Sequence, residues 1–184
     1  MEPNLLTSVR LPLPWDEFDL PNPLATRVTV LETGEPSWRW SGGAPDLCVP
    51  TGPGAAPDRA GEAAPGWDLD HVVLLVPDLE KAVTAMAGLG LSPRLRLEVR
   101  GRPTAFFRVG PVLEVIESPV RAPALFGVAL VTEEPLETVV LRWRSLGRAV
   151  DDPRPALQPG RRIFTVRATE AGLAVMSPER AVGV

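Results

Sequence analysis

The chain has 184 residues, of which 45% are hydrophobic and 23% are charged, and its formal net charge is −4. These values are typical of a soluble globular protein with one medium-sized domain or two small ones. The slight acidic excess gives no general attraction to nucleic acid or to anionic lipid, so neither is predicted as a partner.

The single cysteine and the short apolar runs exclude further classes of protein. Cys48 has no second cysteine to pair with, so an intrachain disulfide and a cysteine-based zinc cluster are both excluded. No apolar run approaches the ~20 residues that span a bilayer. Residues 1–18 lack the basic and apolar regions of a secretory signal. The sequence therefore predicts a cytoplasmic protein.

The first 66 residues hold eleven of the 22 prolines. Proline cannot donate a backbone hydrogen bond to a helix or a sheet, so this density predicts an arm over residues 1–49 without a regular core of its own. Residues 50–66 are rich in proline, glycine and alanine, a composition typical of a linker. The regular domain is predicted over residues 67–179.

Two features of the arm point to local order. Residues 25–34 alternate and end at Thr33-Gly34, and Trp38–Trp40 can form a returning strand, so a hairpin is predicted. Together with Trp15, these residues give the arm more large aromatic side chains than a disordered tail carries. We expect the arm to dock on the main domain or on a second subunit.

One segment of the chain occurs twice. Residues 71–78 read HVVLLVPD and residues 126–133 read FGVALVTE. Each is an apolar, strand-like run that ends on an acidic residue, precedes a helical pattern and is followed by a Leu-Gly pair. A tandem repeat of about fifty residues predicts two copies of one structural unit.

The first unit reads as β-α-β-β-β. A buried strand, His71–Val76, precedes a helix with Asp78 as its N-cap. The alternation over 94–100 predicts a half-buried strand. A turn at Gly101 precedes the next strand, and a turn at Gly110 separates the last two strands. These strands are Thr104–Val109 and Val112–Glu117.

The second unit repeats this order. Leu125–Val131 is the strand, and a helix begins near Pro135 with an apolar stripe. The stripe consists of Leu136, Val139, Val140, Trp143 and Leu146. Residues 161–168 and 172–177 predict a hairpin, whereas residues 151–160 contain three prolines and predict only an edge strand or a loop.

The repeat resembles the vicinal oxygen chelate superfamily of glyoxalase I, bleomycin resistance proteins, methylmalonyl-CoA epimerase and extradiol dioxygenases. The resemblance covers residues 68–179 and depends on Leu-Asp-His at 69–71 and Leu-Glu-Val-Ile-Glu at 113–117. It implies an α+β fold in which two βαβββ modules, 67–120 and 121–179, form a curled mixed sheet with a concave cavity.

The resemblance also implies which residues would bind a metal. His71 and Glu114 match the first-strand and last-strand ligands of the family, whereas the second copy has Phe126 and Ala174, which cannot bind a metal. One imidazole and one carboxylate are a sparse set for Zn²⁺, Mn²⁺, Fe²⁺ or Ni²⁺. The expected cofactor is therefore one weakly bound divalent metal or none, unless other side chains complete the site. The candidates are Asp151, Asp152, Gln158 and residues of the arm.

Each candidate site residue has a structural alternative. His71 and Glu114 are predicted as catalytic, but His71 could be a structural histidine, and Glu114 could pair with Arg108 or Arg162. The side chains predicted to line the cavity are Phe126, Ala174, Phe107 and Arg162. The alternatives are a core position for Phe107 and a solvated surface position for Arg162.

Three functions follow from these residues. The first is a glyoxalase-like lyase, isomerase or dioxygenase in which His71 and Glu114 bind a divalent metal or act as an acid–base pair. The second is a metal-free protein of the resistance type that binds a small molecule in an apolar cavity. The third is an interaction module without a ligand. A small-molecule ligand or substrate and a homodimer are the expected partners.

Overall fold

The computed structural model describes residues 4–52 and 61–179, which contain two β-sheets. The first is a five-stranded sheet of the N-terminal part. Its strands are β1 (Leu6–Leu11), β2 (Leu24–Ala25), β3 (Val30–Thr33), β4 (Ser37–Trp40) and β5 (Glu62–Ala63). A short 3-10 helix, Trp15–Phe18, follows β1.

The second sheet has eight strands and belongs to the repeated units. The first unit consists of β6 (Trp67–Val76), α1 (Leu79–Ala87), β7 (Leu95–Val99), β8 (Arg102–Arg108) and β9 (Val112–Glu117). The second consists of β10 (Ala124–Thr132), α2 (Leu136–Ser145), β11 (Arg154–Pro155), β12 (Arg162–Val166) and β13 (Gly172–Met176). The predicted order of elements is confirmed in both units.

The strand order shows that the two units are copies. The sheet runs β11-β12-β13-β10-β6-β9-β8-β7, so each unit places its last strand beside its first. The two first strands, β6 and β10, pair antiparallel at the centre, whereas β6 with β9 and β10 with β13 are parallel. This is the predicted α+β architecture with a curled, mixed sheet.

The helices begin and end where the sequence predicts. Asp78 accepts a hydrogen bond from the Lys81 amide at 3.0 Å, which caps α1. The glycines of the two Leu-Gly pairs, Gly90 and Gly147, have φ of +74° and +81°. This left-handed conformation favours glycine after a helix and explains why the pair is repeated. In the described part of the chain, neither helix has the length and apolarity needed to cross a bilayer.

Strand β7 differs from its prediction. Its alternation indicated a half-buried strand, yet Leu95 and Leu97 are 51% and 42% exposed. The reason is its position: β7 is an edge strand that pairs only with β8. Arg96 pairs with Glu80 of α1 on the helix side of the sheet, so the two leucines lie on the opposite face.

The N-terminal part is more regular than the proline count predicts. It has a five-stranded sheet of order β4-β1-β3-β2-β5, with Trp15 and Trp38 buried. The predicted hairpin is wrong in its pairing, because β3 and β4 are not neighbours: β1 lies between them, parallel to β3 and antiparallel to β4.

The prolines explain this difference. Those of residues 4–52 lie between strands rather than within them; Pro12 follows β1, and Pro36 precedes β4. Proline therefore separates the strands here, which its missing N–H allows. In the predicted linker, Glu62–Ala63 form the short strand β5, which pairs with β2, and residues 53–60 lie outside the described residues.

The N-terminal part docks on the repeated units, as expected. Trp143 of α2 lies at the junction, with its ring 4.8 Å from Phe18, 5.9 Å from Trp67 and 5.7 Å from Phe164. All of these side chains except the half-buried Trp67 are buried in a hydrophobic core that both sheets share. This packing fixes the N-terminal sheet against the end of the larger one.

Candidate active site

A β-bulge in β6 places two polar side chains side by side. In the pairing of β6 with β10, His71 is opposite Ala129, and Leu69 is opposite Leu130, so Asp70 is the extra residue. Bulges re-aim side chains and are frequent next to active sites. Leu69 and Val72 stay buried in the core, and both Asp70 and His71 are half-buried away from it.

His71 lies between two carboxylates. Its Nδ1 is 2.8 Å from Oδ2 of Asp70, and its Nε2 is 3.4 Å from Oε2 of Glu114. The Asp70 carboxylate accepts a hydrogen bond from Nδ1–H of His71, and this bond orients the ring so that Nε2 is directed at Glu114. One proton can then be shared between Nε2 and Glu114.

Glu114 lies on the strand next to His71. It is opposite Val73 of β6 and Phe106 of β8, so it shares the open face of the sheet, the face away from the helices. Its partner is therefore His71, and the predicted pairing with Arg108 or Arg162 does not occur. Side-chain exposures of 16% for His71 and 13% for Glu114 leave both open to a ligand in part.

The two carboxyl groups have opposite pKa shifts. Burial raises the pKa of Glu114 above its ordinary value of 4.5, and the charges of His71 and Arg100 only partly oppose this effect. Burial would also raise the pKa of Asp70, but the hydrogen bonds and charges of His71 and Arg161 outweigh it, and the pKa lies below 3.8. Asp70 is thus ionised at neutral pH, whereas Glu114 is suited to exchange a proton.

Sequence reasoning missed the roles of Asp70 and Arg161. The second oxygen of Asp70 accepts a hydrogen bond from Nη2 of Arg161 at 2.5 Å, and Nε of Arg161 donates to the Ser177 carbonyl at 2.9 Å. Arg161 is only 7% exposed. The motif Leu-Asp-His contained the signal for Asp70, but a bulge is invisible in a single sequence.

The predicted cavity residues of the second unit, Ala174 and Phe126, lie on the open face of the sheet. Ala174 of β13 is opposite Ala129, which is itself opposite His71, so Ala174 lies about two strand spacings, or ~10 Å, from His71. Phe126 is at a second bulge, level with Val73 rather than with His71, and is 51% exposed.

Phe107 and Arg162 are predicted to line the cavity, but the structure places both outside it. Phe107 is 1% exposed in the hydrophobic core, because neighbouring residues of a strand face opposite sides and Phe106 takes the open face. Arg162 pairs with Glu137 of α2 at 2.5 Å on the helix side. Its neighbour Arg161 is the arginine that reaches the site.

The described residues do not complete a metal site. Across residues 4–52 and 61–179, no group of three or more His, Cys, Asp or Glu side chains is placed to hold a metal ion. Both carboxylate oxygens of Asp70 and Nδ1 of His71 are used in hydrogen bonds. Two of the candidates for completion are bound elsewhere: Asp151 contacts Thr165 and Arg167, and Asp152 contacts Arg144. The donor set thus fits an acid–base site better than a metal site.

A cleft lies at the end of the sheet where β6 begins, and it reaches Asp70 and Arg161 of this site but is not lined by His71 or Glu114. It has a volume of about 580 Å³, within the range of small-molecule sites. Asp68 and Asp70 of β6 and Arg161 form part of its lining, and residues 26–28 of the N-terminal part form another.

Comparisons with known proteins identify the fold. No family model and no curated protein matches the chain. Among solved structures, methylmalonyl-CoA epimerase from Mycobacterium tuberculosis is 20% identical, with a TM-score of 0.50 over 60% of this chain and 87% of that one. A hypothetical protein from Bacillus halodurans is 16% identical, with a TM-score of 0.53 over 64% and 99%.

A third structure is a complex with a ligand. It is methylmalonyl-CoA epimerase with methylmalonyl-CoA and NH₄⁺, 16% identical, with a TM-score of 0.51 over 61% of this chain and 94% of that one. This chain has the vicinal oxygen chelate fold. The three neighbours are covered almost completely while more than a third of this chain is left over, so the vicinal oxygen chelate fold carries an additional part here.

Proposed function

We propose that this protein is an isomerase that moves a proton at a carbon next to a carbonyl group of a small molecule. One observation carries the proposal: His71 lies between Asp70, whose pKa is lowered, and Glu114, whose pKa is raised by burial. Pairs of titratable groups whose environments shift their pKa values apart are typical of acid–base catalysis.

The proposed reaction uses only these side chains. The Glu114 carboxylate takes the proton from carbon, and the electron pair of the C–H bond moves to the carbonyl oxygen to give an enolate. While Glu114 is a carboxylate, the proton shared by the pair is on Nε2 of His71, so that His71 is an imidazolium held by Asp70, and Nε2–H donates a hydrogen bond to this oxygen and lowers the barrier. Return of a proton to carbon restores the carbonyl, so the step needs no further reactant.

An acyl thioester is the first substrate class to test, because several structural neighbours are methylmalonyl-CoA epimerases. We expect the protein to accelerate exchange of the α-proton of methylmalonyl-CoA in D₂O, followed by proton NMR. Glu114→Gln should slow this exchange by roughly 10²- to 10⁴-fold. Glu98→Gln, at an exposed position of β7, is the matched control and should behave as wild type.

Two results would overturn the proposal. One is the absence of exchange with methylmalonyl-CoA and with other acyl thioesters. The other is exchange that Glu114→Gln and His71→Asn leave unchanged. Metal content, measured on tag-free wild type and Glu114→Gln by mass spectrometry, tests the metal-assisted alternative. Near-stoichiometric metal that is lost in the variant would favour it.

The exposed apolar side chains favour a second candidate, a metal-free binding protein. Leu95, Leu97 and Phe126 are 42–51% exposed. The pairing of β7 with β8 and of β8 with β9 places the leucines on the same open face as Glu114. Such a surface suits an apolar ligand. An apolar drug that raises the melting temperature of wild type and of the His71→Asn/Glu114→Gln variant equally would support this candidate.

A further inference from the structure

The N-terminal part forms one side of the cleft that leads to Asp70. Thr26, Arg27 and Val28, in the turn between β2 and β3, lie along the cleft, and the turn between β8 and β9 lies next to them. More than a third of this chain has no counterpart in the structural neighbours. The cleft is therefore a feature that the vicinal oxygen chelate units alone do not provide.

The N-terminal side of the cleft is firmly attached to the larger sheet. The Leu6 amide donates to the Val109 carbonyl at 2.8 Å. Val28 packs on Gly110, which has a φ of +97°, and a Cβ atom at Gly110 would lie only 2.7 Å from Cγ1 of Val28. Glycine is thus required at position 110 for two reasons: its left-handed conformation and the close approach of Val28.

Two of the three arginines of the cleft are already paired. Nη2 of Arg27 is 2.7 Å from Asp68, whose carboxylate also accepts from the Arg27 amide at 3.1 Å. Arg161 is paired with Asp70 at 2.5 Å. Arg108, at the end of β8, is exposed, and its guanidinium has no hydrogen bond or ion pair to any residue among 4–52 and 61–179.

The unpaired carboxylates of the cleft are too far away to neutralise Arg108. Glu133 follows β10, and the strand order β10-β6-β9-β8 puts it three strand spacings, or ~14 Å, from Arg108. Glu179 follows β13, one strand further. Arg108 thus lies at the end of the cleft away from Glu133 and Glu179, whereas the guanidinium of Arg27 is held at Asp68 of β6.

We propose that Arg108 binds an anionic group of the small molecule that enters this cleft. The chemical class is a carboxylate or a phosphate, because guanidinium groups bind both through paired N–H donors. The N-terminal part is then a component of the binding site. This inference rests on the proposed function and adds to it a binding site for the part of the substrate away from the reacting carbon. Binding of an anion can nevertheless be measured without catalysis.

The test measures binding of small dianions to the full chain by calorimetry. Malonate and inorganic phosphate are the probes, and neutral malonamide is the matched control ligand. We expect at least one dianion to bind wild type, and Arg108→Gln to weaken that binding by roughly tenfold to a hundredfold. Arg121→Gln, an exposed arginine outside the cleft, should bind as wild type. Comparing malonate with phosphate shows which anion the site prefers.

Specific results would overturn the inference. Dianion binding that Arg108→Gln leaves unchanged, equal binding of malonamide, or no binding of either dianion would each do so. His71→Asn separates this inference from the proposed function, because it should retain dianion binding while it loses proton exchange. Gly110→Ala, which displaces Val28, should weaken dianion binding although it leaves Arg108 in place.

Discussion

At the scale of single residues, Asp70 determines the chemistry of the site. One of its oxygens binds His71, and the other binds the buried Arg161. The lowered pKa of Asp70 means that its ionised form stabilises the fold above about pH 3.8, and that this contribution is lost as the pH falls further. Glu114, on the other side of His71, has a raised pKa, so its effect on stability depends on pH in the opposite direction.

The stability of Glu114→Gln relative to wild type should depend on pH. Because burial raises the pKa of Glu114, the folded chain holds this proton more tightly than the unfolded chain does. Wild type should therefore lose stability as the pH rises from 4.5 through the folded-state pKa, a loss that the neutral glutamine does not show. Urea unfolding between about pH 4 and 8 measures the difference. A constant difference at all pH values would contradict the raised pKa.

At the scale of elements, the close approach of β10 and β13 depends on a pair of glycines. Gly127 and Gly172 lie opposite each other in the parallel pairing. A Cβ atom at Gly127 would overlap the backbone carbonyl of Gly172, whereas one at Gly172 would meet only the ring of the exposed Phe126. Backbone cannot move without breaking the pairing, but an exposed ring can rotate away.

Gly127→Ala should therefore be far more destabilising than Gly172→Ala, although both variants add one methyl group to the same strand pair. We expect a loss at or above the upper end of ~1–3 kcal/mol for Gly127→Ala and less than about 1 kcal/mol for Gly172→Ala. Urea midpoints at constant m-value measure both losses. Equal losses would show that the strands can separate slightly without cost.

At the scale of the whole molecule, the N-terminal sheet and the repeated units share one core. Trp143 contacts Phe18 on one side and Phe164 on the other, and an ion pair between Glu17 and Arg148 lies at the same junction. The buried aromatic contacts contribute far more than the surface ion pair, because exposed pairs give only ~0–1 kcal/mol. We expect the two sheets to unfold together.

Phe18→Ala tests this coupling. Removal of the buried ring should cost about 3–5 kcal/mol, with one cooperative urea transition monitored by tryptophan fluorescence and by circular dichroism. Leu141→Ala, at a position of α2 that is 68% exposed, is the control and should change stability by less than about 0.5 kcal/mol. Two separate transitions, or an unchanged midpoint for Phe18→Ala, would show that the sheets are independent.

The sequence by itself determined the repeated units, because their signals are local. Apolar alternation, the Asp78 cap and the Leu-Gly pairs each act within a few residues, and His71 and Glu114 follow from the repeat and the family motif. The tertiary structure alone decided the rest. The bulge at Asp70, the choice of Arg161 over Arg162, and the insertion of β1 between β3 and β4 depend on strand pairing between distant residues. Such pairing is set by the packing of the whole core, which no local pattern records.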